Sequence, residues 1–334
     1  MNSDFPILSV PQAEALARLH ERARYGPLGA PCLLLDLAEP AADAAALARW
    51  LHELPAPVIG IGAAVAGDAL AAACDAHVES AEAALALAEA AARTPIAAMT
   101  LVQLLRLAET LPLADALVAE SLAYATLQNG AEFRRWRASF RAPQAPAACA
   151  APDDGPAVIA ERDGAMLRLT LNRPANRNAM TVEMRDALCE ALQLAAADEE
   201  IARVEIGARG KCFSTGGDLR EFGSAPDPAT AHLVRSLALP GRWLAAVAAR
   251  AEVVVHGACV GSGIEFPAFA GRLLATDGAW FQLPELKFGL IPGAGGCVSV
   301  ARRIGRQRTA WLVLSGQRID TAQALDWGLA DARC

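Results

Sequence analysis

His256-Gly257-Ala258-Cys259-Val260-Gly261-Ser262-Gly263-Ile264-Glu265 continues a strand signal over Val253 to His256 and opens a helix at Gly261. Its Gly-x-Gly followed by Glu reads as a packed helix entry whose acid complements the helix dipole, or as a loop that lets backbone approach a ligand. It is too short for a dinucleotide fingerprint. Upstream, Cys212-Phe213-Ser214-Thr215-Gly216-Gly217-Asp218-Leu219 repeats the theme, although Gly-Gly-Asp taken alone is equally a tight turn and a helix cap. Downstream, Leu283-Pro284-Glu285-Leu286-Lys287-Phe288-Gly289-Leu290-Ile291-Pro292-Gly293-Ala294-Gly295-Gly296 places an acid in an apolar segment ahead of four glycines. Burial of such a carboxyl would make it a proton carrier.

Around these loops strand and helix signals alternate closely. Ala157 to Glu161 and Met166 to Leu171 flank the hairpin signal Asp163-Gly164; Val182 to Ala197 has helical periodicity and Val204 to Ala208 returns to strand. Arg272 to Thr276 reads as a further strand, and Ile319 to Trp327 as a helix opened near Asp320. The rhythm is β-β-α, repeated, in an α/β chain.

In order and spacing the three loops resemble the crotonase family, the enoyl-CoA hydratase and isomerase superfamily. Leu171-Asn172-Arg173-Pro174-Ala175-Asn176-Arg177-Asn178-Ala179-Met180 is similar to the opening signature of that family. The resemblance runs from about Val158 to Ala332 and implies a spiral core of repeated β-β-α units acting on an acyl-CoA thioester. It implies an oxyanion hole from the N–H groups of Gly217 and Ser262, with Ser262 standing where Gly is usual. Glu265 and Glu285 fall on the two positions that carry the catalytic carboxylates of family hydratases. Gly216, Asp218, Leu219 and Arg220 are expected along the thioester and pantetheine path, with Ala179, Gly261 and Gly293 as further substrate contacts. Arg173 and Arg177 are expected near the phosphates or adenine of CoA. Phe222, Trp280 and Phe281 are candidates for the acyl pocket, and His256 reads as structural. Having both glutamates ranks an enoyl-CoA hydratase above a 3-enoyl to 2-enoyl isomerase, which works with one, and above a noncatalytic acyl-CoA-binding subunit. No cofactor is expected beyond the CoA of the substrate. By the same resemblance the chain is expected to form a homo-oligomer, trimeric or hexameric. Gly271 departs from the family, which often has Asp there.

Arg141 to Pro156, with four prolines and no hydrophobic period, reads as a linker between residues 1–140 and 157–334. The first part is mixed and mostly helical: Ala41 to Leu54, Ser80 to Ala92, Thr94 to Arg106 and Leu113 to Phe140 read as helices, the last broken near Gly130. Cys32 to Leu37 and Val58 to Gly62 are of strand length. This half is similar to a shortened, degenerate crotonase unit, with Gly67-Asp68-Ala69-Leu70 in place of Ser262-Gly263-Ile264-Glu265 and no Gly-Gly-Asp loop. Family members continue through several helices beyond the segment matching Ser315 to Asp320, and residues 94–140 are expected to supply such helices here.

The chain has 334 residues, of which 54% are hydrophobic, and a net charge of −7, so it can bury a large core and is not disordered. With 37 acids against 30 Lys and Arg there is no basic field for a nucleic-acid backbone. Charges interrupt every apolar run short of a membrane span, and Met1 to Pro11 lacks a secretory signal pattern, so no membrane partner and a cytoplasmic location are expected. The 8 cysteines include no C-x-x-C pair, and isolated pairs such as Cys74 with His77 do not make a metal site.

Overall fold

The computed structural model describes residues 5–62, 68–141 and 155–334. The expected linker therefore lies almost wholly outside the described residues, as does Gly67.

The first half alternates strand and helix: β1 (Ile7–Ser9), α1 (Val10–Arg18), β2 (Leu33–Asp36), α2 (Ala44–His52), β3 (Val58–Ile61), α3 (Ala69–Ala73), β4 (Ala76–Val78). The strands form one parallel sheet in the order β1-β2-β3-β4. Both faces of this sheet are covered, which explains why β2 and β3 read as unbroken apolar runs. Leu33 and Leu35 face a small core with Trp50 and Leu51 of α2, while Leu34 and Ile59 face the main core. Asp43, Asp68 and Ser80 cap the following helices by accepting backbone N–H groups, as short polar side chains do at these positions. Four helices complete the half: α4 (Ala81–Arg93), α5 (Pro95–Ala108), α6 (Leu113–Gln128) and α7 (Ala131–Ser139). Pro95 stands in the first turn of α5, and Gly130 divides α6 from α7. β1, α1 and β4 were not legible in the sequence, being three to nine residues long with weak periodicity.

In the second half β5 (Val158–Asp163) and β6 (Met166–Leu171) pair antiparallel across a tight turn at Gly164, where φ is +57°. There follow α8 (Val182–Ala197), β7 (Arg203–Ala208), α9 (Pro228–Leu237), α10 (Pro240–Ala246), β8 (Ala251–Val255), β9 (Ala258–Val260) and α11 (Ser262–Glu265). The rest is β10 (Arg272–Ala275), β11 (Trp280–Gln282), α12 (Gly296–Ile304), α13 (Arg306–Ser315), β12 (Ile319–Asp320), α14 (Thr321–Trp327) and β13 (Ala332–Arg333). Six strands form a sheet in the order β13-β10-β8-β7-β6-β5, and β12-β11-β9 form a second, smaller one. The architecture is α/β with repeated strand-strand-helix units. The helix expected from Ile319 begins two residues later, because Ile319 and Asp320 pair with β11 and Asp320 then caps α14.

The two halves share one hydrophobic core. α5 and α6 pack on α12, α4 and α5 on α13, and α6 on α9. Polar anchors fix the contact. Asp75 is almost fully buried and binds both Arg106 of α5 and Arg306 of α13, while Arg306 also donates to the carbonyls of Ala72 and Cys74. Thr94 Oγ1 donates to the Leu286 carbonyl at 3.1 Å. Gly271 lies against Ala248, whose carbonyl oxygen would be 2.2 Å from any Cβ, so an Asp has no room here and the bare backbone is a packing requirement. No single helix among the described residues is long and apolar enough to cross a membrane.

Candidate active site

The three glycine loops meet at a cavity of about 480 Å³. Gly217 and Asp218, Ser262 and Glu265, Glu285, and Gly293 with Ala294 all line it. Their convergence follows from strand order: Ser214 pairs with Cys259, and β9 pairs with β11, so the ends of all three segments open on the same side. Gly216 and Gly261 make the turns possible. Gly216 has φ +87° with the Val260 carbonyl oxygen 2.6 Å from a would-be Cβ, and Gly261 has φ +50°.

The Gly217 and Ser262 N–H groups, both on the cavity wall, have no protein acceptor among the described residues. Met180 pairs through the N–H of Asp218 and the carbonyl of Gly216, which bypasses Gly217, while Ser262 is the first residue of α11. The Ser262 hydroxyl is also buried without a partner.

Both glutamates are buried, and both point at Gly261. A methyl group there would lie 2.7 Å from Glu285 Oε1 and 3.8 Å from Glu265 Oε1. Their surroundings differ. Glu265 Oε2 accepts the N–H groups of Ala294 (2.7 Å) and Gly296 (2.9 Å), whereas Glu285 Oε2 has no hydrogen-bond partner. Burial pushes the Glu265 carboxyl up to about 7, opposed by those N–H groups. Glu285 is raised well above the usual carboxyl range by burial and then by the charge of Glu265.

A third buried carboxyl comes from the other half of the chain. Glu120 of α6 accepts the N–H groups of Gly295 (2.6 Å) and Cys297 (2.9 Å), so Glu265 and Glu120 take alternate donors along the entry to α12. The first turn of α12 contains no acid of its own, and these two carboxyls satisfy its orphan N–H groups from outside. Burial, then the proximity of Glu265, raises Glu120 as well. Tyr124, one turn further along α6, lays its ring against Gly293 and forms part of the cavity wall. Neither residue was assigned a role from the sequence, because an acid and a phenol inside an Ala- and Leu-rich helix give no local signal.

The remaining sequence-derived candidates divide. Gly216 and Gly261 shape the loops from behind the lining, and Asp218 lines the cavity while held by a fork from Arg220, whose side chain points mostly to solvent. Leu219 and the buried Ala179 are outside the lining. Arg177 is exposed, with a left-handed backbone, whereas Arg173 is tied to Glu183 of α8 through Nε and Nη2. Phe222 lines the cavity. Phe281 does not, since β11 turns it fully into the core, and Trp280 instead stacks under Arg318, whose guanidinium carbon is 3.9 Å from the ring centre. His256 binds the Gly210 carbonyl through Nε2 at 3.1 Å.

Residues 161–334 match a family model described as Enoyl-CoA hydratase/isomerase. Among curated proteins, the 2,3-dehydroadipyl-CoA hydratase of Escherichia coli (strain K12) is 34% identical over 174 residues, covering 52% of this chain and 67% of that protein. The trans-2-decenoyl-acyl-carrier-protein isomerase of Streptococcus mutans is 31% identical over 176 residues, again 52% of this chain and 67% of that protein. The crystal structure of an enoyl-CoA hydratase from Mycobacterium smegmatis superposes with a TM-score of 0.50 and 28% identity, over 54% of this chain and 70% of the other. A hydratase and an isomerase are thus similar to this chain to nearly the same degree, over the half that contains the three loops.

Proposed function

The chain belongs to the enoyl-CoA hydratase/isomerase family, and on that premise we propose that it adds water across the double bond of a 2-enoyl-CoA thioester. The observation that carries this reading is the pair of buried carboxyls, Glu265 and Glu285, converging on one point of the cavity beside two unengaged backbone N–H groups.

The thioester oxygen accepts the N–H groups of Gly217 and Ser262, which stabilise the enolate-like charge that develops there more than they stabilise the neutral carbonyl. Attack by water at the β-carbon needs a base, and protonation of the α-carbon needs an acid. Two carboxyls whose surroundings push them apart can divide that work. Glu265, kept the more acidic by the Ala294 and Gly296 N–H groups, takes the proton of water; Glu285, whose Oε2 lacks a donor, holds a proton and delivers it. Arg177 is open to solvent where a CoA phosphate could reach it, and no cofactor beyond the CoA of the substrate enters this scheme. Isomerisation is the second reading, favoured by the unpartnered Glu285 oxygen, since one carboxyl can carry a proton between the α- and γ-carbons.

We read residues 1–140 as a degenerate copy of the same unit whose helices close the active half; the packing of α5 and α6 on α12 supports the closing role. The protein is proposed to work as a homo-oligomer in the cytoplasm. The seven cysteines among the described residues are all unpaired, which suits a reducing compartment.

Incubation with a short 2-enoyl-CoA is expected to bleach the enoyl-thioester absorbance and yield 3-hydroxyacyl-CoA containing solvent oxygen when run in labelled water. A product that carries no solvent oxygen but has a displaced double bond would replace hydration with isomerisation. Binding without turnover of either substrate would leave a binding subunit.

A further inference from the structure

We propose that the acyl end of the cavity is built to receive an anion, so that the preferred substrate is a 2-enoyl-CoA whose acyl chain ends in a carboxylate, with Arg235 as its partner. This rests on the acyl-CoA reading above and adds the chemical class of the acyl group.

Arg235 of α9 lines the same cavity as Glu265 and Glu285 and is half-buried, yet it has no carboxylate within ion-pair distance among the described residues. Its guanidinium is held by neutral groups. Nε donates to Ser121 Oγ (3.0 Å), Nη2 to the Ser121 carbonyl (3.3 Å) and Nη1 to Gln128 Oε1 (3.2 Å), while its carbon sits 4.6 Å above the centre of the Tyr124 ring. His232 Nδ1 lies 2.9 Å from the same Ser121 oxygen and completes the network. A guanidinium has five N–H donors. Three are taken, which leaves one on each terminal nitrogen, the arrangement that can grip a carboxylate with two parallel hydrogen bonds.

The nearby Glu120 attracts this cation without pairing with it. Both oxygens of Glu120 are spent on the Gly295 and Cys297 N–H groups. Half-burying a cation costs free energy unless something compensates, and here the unpaired charge of Glu120, the stacking on Tyr124 and the three neutral acceptors do so only in part. An incoming carboxylate would complete the compensation.

Position identifies which anion fits. The Tyr124 ring bears on Gly293, next to the Ala294 N–H that holds Glu265, so the guanidinium stands about one aromatic ring away from the loop beside the reacting carbons. The phosphates of CoA are separated from the thioester by the whole pantetheine arm and cannot be there when the thioester oxygen is in the Gly217 and Ser262 pocket. A carboxylate a few carbons beyond the double bond can be.

The test compares kcat/KM for hex-2-enoyl-CoA with that for the same six-carbon 2-enoyl-CoA carrying a carboxylate at C6, in the unaltered protein and in Arg235→Met and Arg235→Lys. The expected result is a preference for the carboxylated substrate of about tenfold or more, as a charge-assisted bidentate pair allows. Arg235→Met should lower that ratio at least tenfold, and Arg235→Lys should restore part of it. Reading a ratio separates loss of recognition from loss of fold, because a damaged fold lowers both rates together. Equal or better turnover of the uncharged substrate by the unaltered protein would overturn the proposal while leaving hydration intact. A ratio unchanged by Arg235→Met would overturn the assignment to Arg235. Failure to turn over both substrates would instead remove the reading on which the proposal rests.

Discussion

Glu285→Gln is expected to lower kcat for hydration by about 10²- to 10⁴-fold, the usual worth of a positioned acid or base, and Glu265→Gln by a similar factor. The double variant should cost little more than the worse single one, because two carboxyls working on one water act as a unit. Steady-state kinetics of the three variants check this; factors that multiply would mean that the two act separately. The pH profile carries its own sign. Glu265 must be ionised to take a proton, and burial places it at about 7, so kcat/KM should rise as pH increases through that value. Glu285 must be protonated, so activity falls again where it ionises. Stability runs the other way. A carboxyl raised above its unfolded value of about 4.3 favours the folded state fully only below that value, and the advantage is lost as pH rises through the folded value. Glu285→Gln is therefore expected to make the protein more stable than the parent at pH 8, by about 1–3 kcal/mol, with the gain shrinking toward pH 5. Urea unfolding at the two pH values measures it, and a variant less stable at pH 8 would contradict the placement of an unpartnered carboxyl there.

The largest effect on stability is expected at Asp75, far from the chemistry. Its carboxylate holds Arg106 and Arg306 and also accepts the Val58 N–H at 2.8 Å, with all three side chains buried. Asp75→Ala would leave Arg106 buried without a counter-ion and Arg306 with only the exposed Glu109, 3.3 Å from its Nε. Breaking one buried pair in this way typically costs 3–5 kcal/mol. A loss of at least about 3 kcal/mol in urea unfolding is expected, and a loss below about 1 kcal/mol would mean that water enters to replace the carboxylate.

The convergent loops of the candidate site were legible in the sequence where the backbone itself needed a particular residue. Gly216 and Gly261 sit at positive φ with no space for a side chain, and each lies one residue before an N–H proposed as an oxyanion donor, so their spacing marked the loops. Glu265 and Glu285 could be read because they stand in register with those glycines. Arg173 could not: its fate depends on Glu183, which α8 presents ten residues later, and the sequence around an arginine in a loop reads the same with or without such a partner. Glu120, Tyr124 and Arg235 were not assigned for a related reason. α6 is buried on the face that carries Glu120, Ser121 and Tyr124 but apolar around most of its circumference, so its sequence does not say which face meets the site. In the fold, strands of four or more residues were read close to their limits, while β1 and β4 are too short for a period of two to register.

The hydrogen bond from Gly295 to Glu120 joins residues 175 positions apart, and that separation has a kinetic side. The entropy of closing a loop grows only with the logarithm of its length, so the contact is affordable at equilibrium. Rates are less forgiving, since contacts between residues distant in the chain slow folding. The hairpin of β5 and β6 and the helices can form from neighbouring residues, but the entry to α12, and with it the set of Glu265, waits for α6 to arrive. During refolding, recovery of catalysis should accordingly trail recovery of far-ultraviolet circular dichroism, the interval between them being the time the chain takes to bring its two ends of this bond together.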